Sequence, residues 1–230
     1  MTGKIRSAAP LSHKKRLNMV ATDDLLRLGT DLIRNARRQP TKRRTAIDFR
    51  DGLIIALLAL RPMRLLNLSA LSLNISLVRC GENYRIVFHG SAMKNGSAFE
   101  AVWPTPLLGF LLEWLDVHRP LLMSCRSRWY KPCLSELWVS SHGSPMTRQA
   151  IYDRICARTR EAFGHSINPH LFRDVAATTL ALEDPEHIRL AAPLLSHRDF
   201  KTTERHYLQA RMLQATRRFQ EEITKRRSRS

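Results

Sequence analysis

TAIDFRDGLIIALLAL, residues 45–60, contains the longest unbroken apolar run of the chain, the eight residues from 53 to 60. A membrane-spanning helix needs roughly 20 apolar residues, so this run is too short to cross a bilayer. An apolar helical stretch without a polar face is typical of a helix buried on all sides. The stretch therefore predicts a buried core helix that ends at Pro62.

The flanking sequence predicts further helices. Leucines recur at helical spacing in residues 23–38, and Asn168 and Pro169 are a favourable cap and first residue for a helix. Proline-rich residues 119–146 predict an irregular segment that begins near Pro120. The further predicted helices cover residues 106–118, 146–163, 169–182 and 186–195, and another carries Tyr207.

One part of the chain has strand patterning instead. The stretches NISLVRC (74–80), NYRIVFH (83–89) and AFEAVWP (98–104) are short and rich in β-branched and aromatic residues. The turn formers CGEN and KNGS separate them. The sequence predicts an α+β protein that is mostly helical, with a small three-stranded antiparallel sheet.

The charge of the chain limits its partners. Thirty-eight Lys and Arg against 20 Asp and Glu give a net charge of +18, and the sequence pI is near 10.9. This excess favours a polyanion such as nucleic acid, although a merely basic surface is the alternative. Four scattered cysteines without metal or redox spacing, and an N-terminus unlike a signal peptide, favour a cytoplasmic protein with reduced thiols.

Three blocks contain candidate ligands for an anion. In NPHLFR (168–173), His170 and Arg173 are three residues apart at a helix start, where free backbone donors favour a phosphate. In RPMRLLNLSAL (61–71), Arg64 lies among leucines, and in AMKNGSA (92–98), Lys94 lies at a predicted hairpin tip. For each block alone the ordinary explanation is favoured: a capping-turn histidine and a surface arginine, a solvated arginine on a helix edge, and a solvated turn.

A fourth block, LLSHRDFKTTERHYLQA (194–210), contains His197 and Tyr207. With Arg64, Lys94 and the His170–Arg173 pair, this order of residues resembles the catalytic domain of the tyrosine recombinases, the phage-integrase family. The resemblance covers roughly residues 23–212. It implies the tyrosine-recombinase catalytic fold, preceded by a basic linker or arm (1–22) and followed by a C-terminal helix and basic tail (213–230).

The resemblance implies a role for each of the six residues. Tyr207 is the nucleophile that attacks a DNA phosphodiester and forms a 3′-phosphotyrosyl link, while Arg64 and Arg173 bind the non-bridging oxygens. Lys94 protonates the leaving 5′-oxygen, His170 accepts the tyrosine proton, and His197 hydrogen-bonds the phosphate. The bond energy is kept in the covalent link, so we expect no metal, no ATP and no other cofactor.

Two residues depart from the family pattern: Asn67 stands where the family often has Glu, and Ser196 where it usually has Gly. The family's N-terminal core-binding domain is expected to be absent, which leaves open a fragment, a remnant of a truncated gene or a minimal recombinase. The family also implies double-stranded DNA and no membrane as partners, with a homotetramer on two DNA sites and a monomer without DNA.

Three functions follow from these observations. The first is a site-specific DNA recombinase, or integrase, that cleaves and rejoins strands. The second is a DNA-binding remnant or regulator of the same fold that does not cleave. The third is a type IB topoisomerase, against which the small size and the T-T-x-x-Y stretch argue.

Overall fold

A computed structural model of the chain describes residues 20–90, 98–126, 129 and 135–183, with side chains up to Thr179. These residues fall into two compact units that divide after Phe172. The first unit covers residues 20–172, and the described part of the second is residues 173–183.

The first unit is mostly helical. In chain order, its helices are α1 (Thr22–Ala36), α2 (Lys42–Leu60), α3 (Leu65–Ser69), α4 (Leu108–Glu113), α5 (Arg119–Ser124), α6 (Arg148–Phe163) and the start of α7 (Pro169–Glu183). A short 3₁₀ turn, Thr105–Leu107, leads into α4. These bounds confirm a mostly helical α+β fold.

Helix α2 forms the core of this unit, as its sequence predicts. Residues 48–59 are all buried, and the helix begins at the side-chain cap of Thr41, whose hydroxyl accepts from the backbone N–H of Arg44. Helix α1 packs along α2 through two glycines. A Cβ on Gly52 would lie 2.6 Å from the carbonyl oxygen of Gly29, so neither position has room for a side chain.

The predicted antiparallel sheet is confirmed, in the order β1 (Leu77–Cys80), β2 (Asn83–Phe88) and β3 (Phe99–Val102). Leu77 pairs with Ile86, and both are fully buried. The adjacent register row, which contains Arg85 and Val102, is exposed because successive side chains of a strand point to opposite faces.

The prediction that residues 119–146 are irregular from their first residue is wrong. A π-helical turn, Trp114–His118, continues α4 directly into α5, which extends to Ser124 with Pro120 in its first turn. A proline lacks the backbone donor and is tolerated at a helix start, where that donor has no partner. The wider turn separates α5 from α4 and places Pro120 at such a start.

The second unit is described only as the continuation of α7 from Arg173 onward. Arg173, Asp174 and Val175 are all buried. Across the described part of both units, no helix has the length and hydropathy that a membrane span requires.

The close approach of α1 and α2 gives a stability prediction. Gly52→Ala should lower the free energy of unfolding by about 1–3 kcal/mol, because overpacking pushes the two helices apart. Gly109→Ala is the matched control, because a Cβ at that exposed position in α4 meets nothing within 4 Å. The control should be stabilised by about 0.5–1 kcal/mol. Urea unfolding measures both, and equal effects would contradict the packing argument.

Candidate active site

Arg64 lies where the core helix gives way to α3. Pro62 and Met63 are buried between the two helices, and Arg64 is the N-cap residue of α3 in an extended conformation. Its side chain is partly buried, and the Nη1 atom is shielded from solvent. The end of a rigid buried helix therefore sets the position of this arginine.

Helix α3 is held in place by the segment around Trp138. The buried indole Nε1 of Trp138 donates to the carbonyl of Leu68 at 2.9 Å, and the backbone N–H of Leu137 donates to the carbonyl of Leu71 at 2.8 Å. Asn67, which replaces the family's Glu, is only 6% exposed. The short helix after Arg64 is therefore anchored by backbone acceptors and does not depend on a carboxylate at position 67.

His170 lies in the first turn of α7, as the sequence predicts. The side chain of Asn168 caps the helix, since its Oδ1 accepts from the backbone N–H groups of His170 (3.0 Å) and Leu171 (3.2 Å). The loop before it is tied to α6, because the fully buried hydroxyl of Thr159 accepts from the backbone N–H of Ile167 at 2.9 Å. The imidazole of His170 is exposed to solvent.

Of the four remaining predicted site residues, the structure describes only Arg173. Arg173 lies in α7 within the second unit and is 5% exposed, so its guanidinium is held by the protein rather than solvated. Lys94, His197 and Tyr207 lie outside the described residues. The convergence of the six residues on one phosphate therefore stays a prediction.

A buried network of arginines and aspartates joins α2 to α6. The Asp51 carboxylate, 1% exposed, accepts from Arg50 on its own helix at 2.7 Å and from Arg158 on α6 at 3.0 Å. Arg154 also donates to Asp51, and Arg158 donates to the buried carboxylate of Asp48. The two helices that precede the Arg64 and His170 segments are thus joined by buried ion pairs.

This network is a feature that the sequence analysis missed. Arg154 and Arg158 are four residues apart on α6, and Arg158 is only 6% exposed and is paired with carboxylates. The missed signal is the pair of carboxylates in "IDFRDG", just before an apolar run. Carboxylates in a buried helix need cationic partners, so Asp48 and Asp51 imply arginines on a packed neighbour.

The pKa of Asp51 reflects this environment. Burial by itself raises the pKa of the carboxyl group, but the positive charges of Arg50, Arg154 and Arg158 outweigh burial and hold the pKa below its ordinary value. Asp51 is therefore ionised at neutral pH. Among the residues that the structure describes, no cluster of three His, Cys, Asp or Glu side chains could hold a metal ion.

Comparison with known proteins agrees with this fold. No protein-family model matches the sequence. Tyrosine recombinase XerD of Staphylococcus saprophyticus is 30% identical over 99 residues, which cover 43% of this chain and 31% of XerD. XerD of Staphylococcus aureus is 28% identical over 165 residues, 68% of this chain and 49% of XerD. The chain spans about half or less of the length of these curated relatives.

Solved recombinase structures share the architecture. XerH bound to a palindromic difH substrate, in a post-cleavage complex, superposes with a TM-score of 0.61 at 15% identity over 92% of this chain and 56% of XerH. XerA recombinase superposes with a TM-score of 0.59 at 18% identity, over 92% of this chain and 65% of XerA. The resemblance seen in the sequence is confirmed: the chain is related to the tyrosine recombinases and has their catalytic-domain fold.

The buried network predicts a large effect of neutralising its centre. Asp51→Asn should lower the free energy of unfolding by about 3–5 kcal/mol, because it leaves buried guanidinium groups without their counter-charge. Asp24→Asn is the control, since Asp24 is exposed and its pair with Arg27 should contribute less than about 1 kcal/mol. Urea unfolding at pH 7 tests this, and a similar small loss in both variants would contradict it.

The lowered pKa of Asp51 predicts a loss of stability in acid. Its folded pKa lies below the unfolded value of about 3.9, so the unfolded chain binds the extra proton. The contribution of Asp51 is therefore complete above that value and is lost as pH falls through the folded pKa. The difference in free energy of unfolding between the wild type and Asp51→Asn should therefore shrink as pH falls below about 3.9. A constant difference between the two proteins down to pH 2.5 would contradict this assignment.

Proposed function

We propose that this chain is a site-specific DNA recombinase that cleaves and rejoins strands through a 3′-phosphotyrosyl intermediate. The observation that carries the proposal most directly is the placement of Arg64 and His170 on two anchored helix starts in a recombinase fold. A XerH of the same fold was solved on a DNA substrate, in pre- and post-cleavage complexes. The excess of basic residues suits the same polyanion.

In the proposed reaction, the Tyr207 oxygen attacks the scissile phosphorus, and the bond from phosphorus to the 5′-oxygen breaks. A free tyrosine has a pKa near 10, so only roughly 0.1% is phenolate at pH 7. His170 takes the tyrosine proton, and its exposed imidazole can exchange that proton with water. Lys94 protonates the leaving 5′-oxygen. The 5′-hydroxyl of a second strand then attacks the phosphotyrosine and releases Tyr207.

Charge develops on the non-bridging oxygens, and Arg64 and Arg173 bind them with forked donors. His197 adds a further hydrogen bond. Preorganised donors of this kind stabilise a phosphoryl-transfer transition state in the way that metal ions do elsewhere. The proposal therefore includes no metal, ATP or other cofactor in the strand transfer.

The proposal extends to the assembly. One catalytic domain, residues 23–212, cleaves one strand, so a duplex exchange takes four protomers on two DNA sites in the cytoplasm. Residues 1–22 serve as a basic linker or arm. In this proposal the segment after Tyr207, residues 212–226, packs on a neighbouring protomer through Leu213 and Phe219, and packing within the same protomer is the alternative.

Covalent trapping tests the function. The protein is mixed with sheared DNA from its own source, quenched in detergent and examined for a protein–DNA adduct. The wild type and a Tyr152→Phe control, which changes a tyrosine in α6, should form adducts, whereas Tyr207→Phe should form none. Arg64→Ala should slow adduct formation by about 10²–10³-fold, because it removes a transition-state donor.

The same experiment separates the alternatives. An adduct that persists in Tyr207→Phe would contradict the proposed nucleophile. No wild-type adduct, with DNA still retarded in a gel at low salt, would indicate a non-cleaving DNA-binding protein. Relaxation of any supercoiled plasmid without sequence preference would indicate a type IB topoisomerase.

A further inference from the structure

We propose that Arg61 is a further phosphate-binding arginine, in addition to Arg64 and Arg173, and that it contacts the DNA backbone beside the phosphate held by Arg64. The inference rests on the proposed function, because it deepens the same DNA site. Arg61 follows the last residue of α2, and Arg64 is the N-cap of α3. Three residues span at most about 10 Å, and each DNA strand carries one phosphate per 3.4 Å of helix axis.

Within the described residues, the charge of Arg61 has no counter-ion. Its one hydrogen bond runs from Nη2 to the carbonyl of Val102, at 3.2 Å, and a carbonyl carries no net charge. No described carboxylate lies within 4.0 Å of its nitrogens, whereas Asp48 and Asp51 neutralise Arg50 in the middle of the same helix and Arg158 on α6. A half-buried guanidinium in this state attracts an anion, and phosphate fits its donor geometry.

The same junction contains buried donors that lack acceptors in the described structure. The Nε of Arg61 is shielded from solvent and has none. Trp103, whose backbone follows the Val102 carbonyl, is fully buried, and its indole Nε1 also has none. Burial lowers the pKa of the Arg61 guanidinium, which is the direction expected for a cation without a nearby anion.

A purely structural role is the competing explanation. In that case Arg61 only fastens the end of β3 to the end of α2 through the Val102 carbonyl. Its removal would then lower thermal stability without changing how DNA binding responds to salt. Salt dependence therefore distinguishes the two roles, because it reports the number of neutralised phosphates.

The test uses the full chain with Tyr207→Phe, so that cleavage does not enter, and a 30-base-pair duplex of random sequence. Arg61→Gln should make the slope of log K against log salt shallower by about 0.9, the value of one phosphate contact. Arg61→Lys keeps the charge and should keep the slope. Arg85→Gln is the matched control, because the Arg85 charge is already paired with Glu100 at 2.9 Å.

An unchanged slope in folded Arg61→Gln, or an equal loss of slope in Arg85→Gln, would overturn the proposal. If Arg61→Gln does not fold, a protection experiment on the wild-type protein tests the proposal instead. Phenylglyoxal modification, located by peptide mass spectrometry, should be blocked at Arg61 by the duplex and not at Arg85. Equal modification of Arg61 with and without DNA would overturn the proposal.

The two proposals fail separately. An absent covalent adduct would remove the recombinase function, while the slope and the protection at Arg61 would still report a DNA contact. An adduct in the wild type together with an unchanged Arg61→Gln slope would remove only the role of Arg61.

Discussion

The first unit depends on one shared carboxylate. Asp51 lies in the most deeply buried helix of the described residues and accepts hydrogen bonds from guanidinium groups on both α2 and α6. A buried carboxylate without cations would cost several kcal/mol, and buried arginines without carboxylates would cost as much. The buried carboxylates and the buried arginines are therefore both neutralised when α2 packs against α6 in this way. This packing also fixes the position of the segments that follow the two helices.

That positioning matters because the candidate ligands follow directly from these two helices. Helix α2 ends at Leu60, four residues before Arg64, and α6 leads through the Thr159–Ile167 hydrogen bond to the Asn168 cap beside His170. Neither residue lies in a long loop. The proposed phosphoryl transfer would rely on positioned donors, and short connections to a rigid core provide such positioning.

The net charge of +18 also has a different meaning once the fold is known. Arg50 and Arg158 are buried and paired with aspartates, so they stabilise the interior and are not available to a polyanion. Arg61 is the opposite case, with one backbone acceptor and no carboxylate among the described residues. Composition counts both kinds of arginine equally, and only their surroundings distinguish a structural cation from one that can bind phosphate.

The sequence by itself determined the buried helix, the three-stranded sheet and the Asn168 cap, because each follows from apolar periodicity or from hydrogen bonds within a few residues. It also determined the order of motif residues on which the resemblance to the tyrosine recombinases rests. It misplaced the end of the helix at Pro120, since a π-helical turn depends on packing rather than on the local sequence.

Only the tertiary structure decided which charges are buried. Arg158 and Asp48 are separated by 110 residues, and the contact between Arg61 and the Val102 carbonyl joins residues 41 positions apart. The spacing of residues along a helix shows which side chains share a face, but not what packs against that face. Burial and ion pairing arise between elements that are distant in sequence, and for that reason they appear only when the chain is folded.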